Sequence, residues 1–174
     1  MYKRQPEDRR SVLLLSHHQW FSAWDKEYRR IGNSLSEWLD GVHLWFWGHE
    51  HRLAGYAPWG HGDRPPVRAR CMGHGGMPIE PAGRPRRERG LVFWDDRPNP
   101  ANTLDGDPIG YNGNVLLAFD GPVLRIEYFD ETGERLLEER WERDPLSGEA
   151  SGSVEFAHPG LSLAPGRTID DLVR

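Results

Sequence analysis

Residues 42–52 read VHLWFWGHEHR, an apolar stretch that ends at a glycine and is followed at once by histidine, glutamate, histidine and arginine. A second apolar stretch, residues 11–16 (SVLLLS), also ends at histidines, His17 and His18. Short continuous apolar runs are typical of strands that are buried on both faces of a parallel sheet. The two stretches therefore predict two neighbouring strands with polar side chains at the carboxyl end of each.

The segment between these strands has the apolar spacing of an amphipathic helix, with intervals close to three and four residues. The side chains that follow this spacing are Trp24, Tyr28, Ile31, Leu35, Trp38 and Leu39. Ser34 and Glu37 fit a capping box, and Gly41 fits the end of a helix. Because Gly32 and Asn33 interrupt the pattern, a loop followed by a shorter helix from about Ser34 is an equally good interpretation.

Strand, helix and strand in this order predict a βαβ unit, in which a right-handed crossover joins two parallel strands. Both groups of histidines then lie at the same edge of the sheet, because parallel strands end on the same side. Ligand sites of open α/β sheets form at that edge. The order of the elements thus predicts a functional site where the two strands end.

The rest of the chain predicts short strands separated by turns rich in glycine and proline. Strand candidates cover residues 53–56, 67–71 and 91–94, and a meander covers residues 114–119, 123–129 and 135–141. Residues 1–10 are polar and predict a tail, and residues 143–174 predict a loosely ordered tail because the hydrophobic periodicity fades there. The expected fold class is α/β (α+β), one βαβ unit followed by an antiparallel meander.

The composition and net charge of the chain argue against several classes of protein. A chain of 174 residues with 37% hydrophobic and 28% charged residues fits one globular domain. The net charge of −5 argues against a nucleic-acid-binding surface, and the basic stretch 84–89 fits a solvated loop. Cys71 is the single cysteine, so an intramolecular disulfide is excluded. With no signal peptide and no apolar run long enough for a membrane, the cytoplasm is the expected compartment.

The histidines at the strand ends predict a metal site. Neutral imidazole is a common ligand of zinc, iron and manganese, and grouped histidines at neighbouring strand ends favour that role. We expect His17, His49 and His51 to be ligands that project into the same space. His43 falls inside the apolar strand and fits a core or surface histidine, while Glu50 fits a solvated turn residue as well as a group that orients a ligand.

The motifs LLLSHHQWF and LWFWGHEH, in this order and with a helix between them, resemble the calcineurin-like metallophosphoesterases of the purple acid phosphatase-like superfamily. In that family an apolar strand ends in a ligand histidine, and a Gly-His-x-His motif follows later. RCMGHGGMP, residues 70–78, and the closing meander also resemble the second half of that fold. The resemblance covers residues 11–142 and implies the C-terminal half of a two-sheet α/β sandwich.

The resemblance also implies an activity, the hydrolysis of phosphate monoesters or diesters by a hydroxide that two divalent ions (Zn, Mn or Fe) activate. His17 and His49 would bind one ion, and His51 would bind the other. His18 would be a catalytic group that faces the phosphate or supports a ligand. His74 would line the mouth of the site as a substrate-binding residue, although a flexible turn explains that stretch equally well.

The family's earlier motifs, Asp-x-His, Gly-Asp-x-x-Asp and Gly-Asn-His followed by Glu or Asp, do not occur in this sequence. Because these motifs supply the bridging carboxylate, the chain alone is expected to bind at most one ion. One interpretation is a phosphoesterase half whose partner is the missing N-terminal half, on the same or another polypeptide. The other is a non-catalytic domain that binds one metal ion or a protein partner. If the missing half packs on this one, a broad apolar face with several tryptophans should be exposed.

Overall fold

The computed structural model describes residues 11–59, 67–79 and 85–174. The expected polar tail, residues 1–10, lies outside the described residues. Within them the strands are β1 (Val12–Ser16), β2 (Val42–Trp47), β3 (Leu53–Tyr56), β4 (Arg68–Met72), β5 (Leu91–Trp94), β6 (Pro98–Leu104), β7 (Asp107–Gly110), β8 (Gly113–Asp120), β9 (Val123–Asp130), β10 (Arg135–Arg143), β11 (Ala150–Ala157) and β12 (Ser162–Leu163). The helices are α1 (Arg29–Leu35) and two 3₁₀ helices, Ser36–Gly41 and Ile169–Leu172.

The strands form a mixed α/β fold with two main sheets. The larger sheet has the order β1-β2-β4-β3-β5-β12, the smaller has the order β11-β10-β9-β8, and β6 and β7 form a separate hairpin. β1 and β2 are adjacent and parallel, with Leu14 opposite Trp45, which confirms the predicted pairing. β8, β9 and β10 are paired antiparallel, so the predicted meander is also confirmed.

Apart from His43, β2 is apolar, because its side chains alternate between the two faces of the sheet and residues 44–47 are buried on both. Leu44 and Phe46 point to the smaller sheet, where the core between the sheets also contains Ile126, Tyr128 and Trp141. The alternate residues belong to a separate aromatic core on the other face of the larger sheet. That core contains Trp20, Phe21, Trp24, Leu39, Trp45, Trp47 and Tyr56.

The connection between β1 and β2 is only partly helical. α1 begins at Arg29 and continues directly into the 3₁₀ helix that ends at Gly41, so neither a helix from Trp24 nor one starting at Ser34 is present. Before α1, the hydroxyl oxygen of Ser22 accepts hydrogen bonds from the backbone N–H groups of Trp24 and Asp25, at 2.8 and 2.7 Å. These bonds give the two N–H groups an acceptor within a turn, so Trp24 packs into the aromatic core without being part of a helix.

Residues 143–174 are not a loosely ordered tail, so that prediction was wrong. β11 pairs antiparallel with β10, β12 pairs antiparallel with β5, and Leu172 is fully buried. β11 is an edge strand in which serine and glutamate alternate with half-buried residues. Its polar exposed side weakened the hydrophobic pattern on which the prediction depended.

The prediction that several tryptophans lie on an exposed apolar face is also wrong. All eight tryptophans lie within the described ranges, and none of them is exposed. Segment 19–24, α1 and the first 3₁₀ helix cover the aromatic face of the larger sheet. In the part of the chain that the structure describes, no helix is long and apolar enough to cross a membrane.

Candidate metal centre

Two turns at the carboxyl edge of the larger sheet hold the histidines. His17 follows β1 directly, and His49 follows β2 after Gly48. The backbone N–H groups of Gly48 and His49 both donate to the carbonyl oxygen of His17, at 3.2 and 2.7 Å. The hydrogen bonding between the parallel strands thus continues past their ends and fixes the backbones of His17 and His49 next to each other.

Three imidazole rings converge at this edge. Potential ligand nitrogens of His17, His18 and His49 all lie within 4.8 Å of one another. Nε2 of His17 is 3.2 Å from Nδ1 of His49, and the ring centre of His18 lies 4.6 Å from that of His17 and 4.5 Å from that of His49. Tetrahedral zinc with Zn–N bonds of about 2.0–2.1 Å separates its ligand nitrogens by about 3.3 Å. The spacing of His17 and His49 matches this separation, and with His18 within 4.8 Å the three residues could hold one ion.

The electrostatics favour the form of histidine that binds metals. Burial, together with the neighbouring rings of His18 and His17, lowers the pKa of His49. Its ring is therefore mainly neutral at neutral pH and keeps a lone pair for a ligand. Nε2 of His17 and Nδ1 of His49, which are 3.2 Å apart, have at most one proton between them, so a bound ion would take the place of that proton.

Tyr28, just before α1, is a member of the site that the sequence did not reveal. Its hydroxyl oxygen lies 3.2 Å from Nε2 of His49, and its ring centre lies 4.3 Å from that of His18. In the sequence Tyr28 occupies an apolar position of the expected helix, so its spacing indicated packing alone. No local signal distinguishes it from a core aromatic residue.

His51 lies outside the group of three rings and is exposed. The expectation that His49 and His51 project to the same side assumed extended backbone. Instead the chain turns, because the N–H of Arg52 donates to the carbonyl oxygen of Glu50 at 2.8 Å. The structure brings together His17 and His49 as expected, but it places His18 beside them and not His51.

Glu50 points inward from this turn, with 5% of the residue exposed. The hydroxyl of Ser22 donates to its Oε1 atom, and burial raises the pKa of the carboxyl group. The structure excludes the solvated role that the sequence left open for Glu50, and its carboxylate is bonded to Ser22 and not to a histidine of the group. Glu50 connects the turn after β2 to the turn before α1, which leads to Tyr28.

The end of β4 packs against the same turn. The thiol of Cys71 lies 3.4 Å from the carbonyl oxygens of both Glu50 and Arg52, and burial raises its pKa. A Cβ at Gly73 would lie only 1.9 Å from the carbonyl oxygen of Glu50 and 2.1 Å from that of Gly48, so glycine is required there. This close approach brings the glycine-rich loop after β4 against the candidate centre.

His74 and His43 take no part in the group of three rings. His74, expected at the mouth of the site, is 1% exposed and packs against Gly113 inside the protein. Neither ring nitrogen of His74 has a partner in hydrogen-bonding geometry, and burial lowers its pKa to about 4 against a weaker opposite effect of Asp95. His43 packs edge-on against Trp141 at 4.5 Å, and burial lowers its pKa to about 4.

No protein-family model matches the chain, and no curated protein matches it either. The resemblance to metallophosphoesterases therefore depends on the quoted motifs alone. The function has to be argued from the geometry of the three histidines and from the groups around them.

Proposed function

We propose that the chain is a metal-dependent phosphoesterase, or the metal-binding half of one, that holds a divalent ion on His17, His18 and His49. The observation that carries this proposal is the convergence of three imidazoles at the carboxyl ends of two parallel strands. Ligand sites of α/β sheets form at this edge. Three histidine ligands and an open fourth position are typical of catalytic zinc, whereas structural zinc has four protein ligands.

A bound zinc-like ion would supply a Lewis acid that activates water and polarises a phosphoryl oxygen. The protein's own part is to hold three neutral rings in place and to leave the site accessible. His17 is exposed, and His18 and His49 are half-buried, so a substrate can approach from solvent. The bonds from Gly48 and His49 to the backbone of His17 keep the ligand-bearing turns together as a substrate enters.

Lys26 places a positive charge beside Tyr28, and the carboxylate of Asp25 acts on His49 with the opposite sign. The basic loop, which is exposed at residues 86–88 as expected, is hydrogen-bonded to the segment before α1. The backbone N–H groups of Arg86 and Arg87 donate to the carbonyl oxygen of Ala23, and the Arg87 guanidinium donates to that of Asp25. The ammonium group of Lys26 lies 5.4 Å from the ring centre of Tyr28. Of these cations only Lys26 contacts a residue of the centre, and its charge would attract a phosphate ester.

The group of three rings contains no carboxylate, which limits the centre to one ion. Among the described residues Glu50 is the nearest acidic residue in sequence to His49, and its side chain is bonded to Ser22 instead. A dinuclear centre would need ligands from the N-terminal half of such a fold, on the same or another polypeptide. The missing carboxylate also favours a second candidate, a non-catalytic domain that binds one ion.

The proposed compartment is the cytoplasm, as the sequence predicted.

Calorimetric titration with zinc tests the proposal. The wild-type chain should bind one ion, and His49→Ala should weaken the affinity by about 100-fold or more because it removes a central ligand. His43→Ala is the matched control on the same part of the chain, and it should leave the affinity nearly unchanged. Equal losses in the two variants would show that the histidines after β2 are only part of a turn.

A second pair of variants distinguishes the ligand set that the geometry supports from the ligand set that the family resemblance implies. His18→Ala should weaken zinc binding by at least about 10-fold, and His51→Ala should change it less than threefold, because only His18 is within ligand distance. The family pattern implies the reverse order. Hydrolysis of a chromogenic phosphate ester by the zinc-loaded wild type would support the phosphoesterase, and zinc binding without hydrolysis would favour the non-catalytic domain.

A further inference from the structure

Tyr28 and His49 form a contact that bears on which nitrogen of His49 can bind a metal. Nδ1 of His49 faces Nε2 of His17 at 3.2 Å, and Nε2 of His49 faces the hydroxyl oxygen of Tyr28 at the same distance. The two nitrogens of one ring therefore point to different neighbours. Of the two, Nδ1 is the nitrogen that faces a potential ligand atom of His17.

We infer that Tyr28 is a positioning residue that selects Nδ1 of His49 as the ligand atom. This inference depends on the metal centre proposed above. An ion held between His17 and His49 needs a lone pair on Nδ1, so the proton of the neutral ring has to reside on Nε2. The hydroxyl oxygen of Tyr28 is the acceptor for that proton.

Without metal, the ring of His49 has two arrangements that satisfy both neighbours. Nε2–H can donate to Tyr28 while Nδ1 accepts from His17, or Nδ1–H can donate to His17 while Nε2 accepts from Tyr28. A tyrosine hydroxyl serves both arrangements because it can donate and accept. Metal binding is compatible with the first arrangement only, in which Tyr28 becomes the acceptor.

The surroundings hold Tyr28 in the position that this role needs. Its ring packs against His18 with centres 4.3 Å apart, and the ring of His49 meets it edge-on at 5.4 Å. The residue lies immediately before α1, where the N–H of Ile31 donates to the Tyr28 carbonyl oxygen at 3.0 Å. Partners that fix the tautomer of a ligand histidine typically contribute about 10–100-fold to metal affinity.

The experiment compares wild type with Tyr28→Phe, which removes the hydroxyl and keeps the aromatic ring. Zinc affinity should fall by about 10–100-fold in Tyr28→Phe. Tyr111→Phe, which alters a tyrosine that packs under Arg97, is the matched control and should leave the affinity unchanged. Urea unfolding of both variants without metal measures whether the loss in Tyr28→Phe comes from destabilisation.

Nitrogen NMR of the His49 ring gives a readout that a purely structural role would not change. In the zinc-loaded wild type, Nε2 should carry the proton and Nδ1 should show the shift of a metal ligand. In Tyr28→Phe the Nε2 proton should exchange faster with solvent because it has lost its acceptor. Since the wild-type spectrum alone identifies the ligand atom, the test does not depend on the stability of the variant.

Four outcomes would overturn the inference. Zinc bound through Nε2 of His49, or equal affinities of wild type and Tyr28→Phe, would exclude the role of Tyr28 and leave the metal centre intact. The absorption of a deprotonated tyrosine on zinc binding would make Tyr28 a ligand and not a positioning residue. A wild type that binds no zinc would exclude the metal centre itself and with it this role.

Discussion

Arg70 and Glu139 form a buried ion pair between the two sheets, and it differs from the histidine group in one instructive respect. All five N–H donors of the Arg70 guanidinium are used, two on Glu139 at 2.7 and 2.8 Å and three on backbone carbonyl oxygens. Glu139 also accepts from Tyr128 and Trp141, at 2.8 and 3.2 Å. Every polar atom of this pair thus has a partner inside the protein.

The histidine group lies at the edge of the sheet, where solvent can reach it. His17, His18 and His49 are exposed or half-buried, and their potential ligand nitrogens face one another across at most 4.8 Å. Buried polar groups that satisfy one another stabilise a fold, whereas imidazole nitrogens that converge at an accessible edge can exchange their mutual hydrogen bonds for a ligand. The comparison teaches that access from solvent separates this candidate site from a buried structural network.

The largest expected effect comes from breaking the buried ion pair. Glu139→Gln should lower the free energy of unfolding by about 3–5 kcal/mol, because it leaves the Arg70 charge buried without a counter-charge. Burial acts to raise the pKa of Glu139, but Arg70 outweighs it and the pKa is lowered, so the ionised form is the one that the fold stabilises. Urea unfolding at neutral pH measures the difference.

Two further variants test this interpretation. Glu142→Gln, which alters an exposed pair with Arg140 on the same strand, should change the stability by less than about 1 kcal/mol. The double variant Arg70→Met with Glu139→Leu should recover much of the lost stability, because it removes both charges. A double variant as unstable as Glu139→Gln would mean that packing, and not the unpaired charge, causes the loss.

A smaller effect is expected from pH, through a buried group whose polar atoms are not satisfied. The pKa of His74 is about 4 in the folded protein and about 6.5 when unfolded. As the pH falls below about 6.5 the unfolded chain takes up the proton first, so stability is lost between about pH 6.5 and pH 4. His74 should therefore contribute about 2 kcal/mol of the loss between about pH 7 and pH 5.

His74→Gln should remove this share of the pH dependence. Urea unfolding at several pH values gives the slope of the free energy of unfolding against pH for each protein. Histidines other than His74 continue to titrate in the variant, and His43 also has a pKa lowered to about 4 by burial. Identical slopes for wild type and His74→Gln would show that the ring of His74 is not excluded from water as the structure has it.

The smallest effect is expected at the contact that connects the turn after β2 to the turn before α1. Ser22→Ala should cost about 1–2 kcal/mol of stability, because Glu50 loses its donor and the N–H groups of Trp24 and Asp25 lose their acceptor. It should also weaken zinc binding a few-fold through its effect on the position of His49. A variant that loses stability but keeps the full zinc affinity would show that the position of His49 does not depend on this contact.

Much of the fold could be predicted, because its signals are local. The apolar runs before His17 and His49 predicted β1 and β2, and the turn residues predicted the meander with bounds close to those observed. The edge strand β11 was missed, since one exposed side dilutes the hydrophobic pattern. The separate hairpin of β6 and β7 was also missed, because most of its residues are exposed and three prolines interrupt any strand pattern.

The candidate site was predictable in its chemistry but not in its membership. Histidines after two parallel strands indicated a metal ligand set, and His17 and His49 do lie together. The choice of His18 over His51 depends on the bond between Arg52 and Glu50, which turns the chain out of its extended course. Short-range sequence patterns do not contain such a bond.

The sequence by itself determined which residues are apolar at strand spacing, where the strands end and which side chains could bind a metal. The tertiary structure alone decided which of them meet. The Arg70–Glu139 pair joins residues 69 positions apart, and the contact of Tyr28 with His49 joins residues 21 positions apart. Local backbone preferences act over a few residues, whereas contacts of this kind form only when packing of the apolar core brings distant segments together.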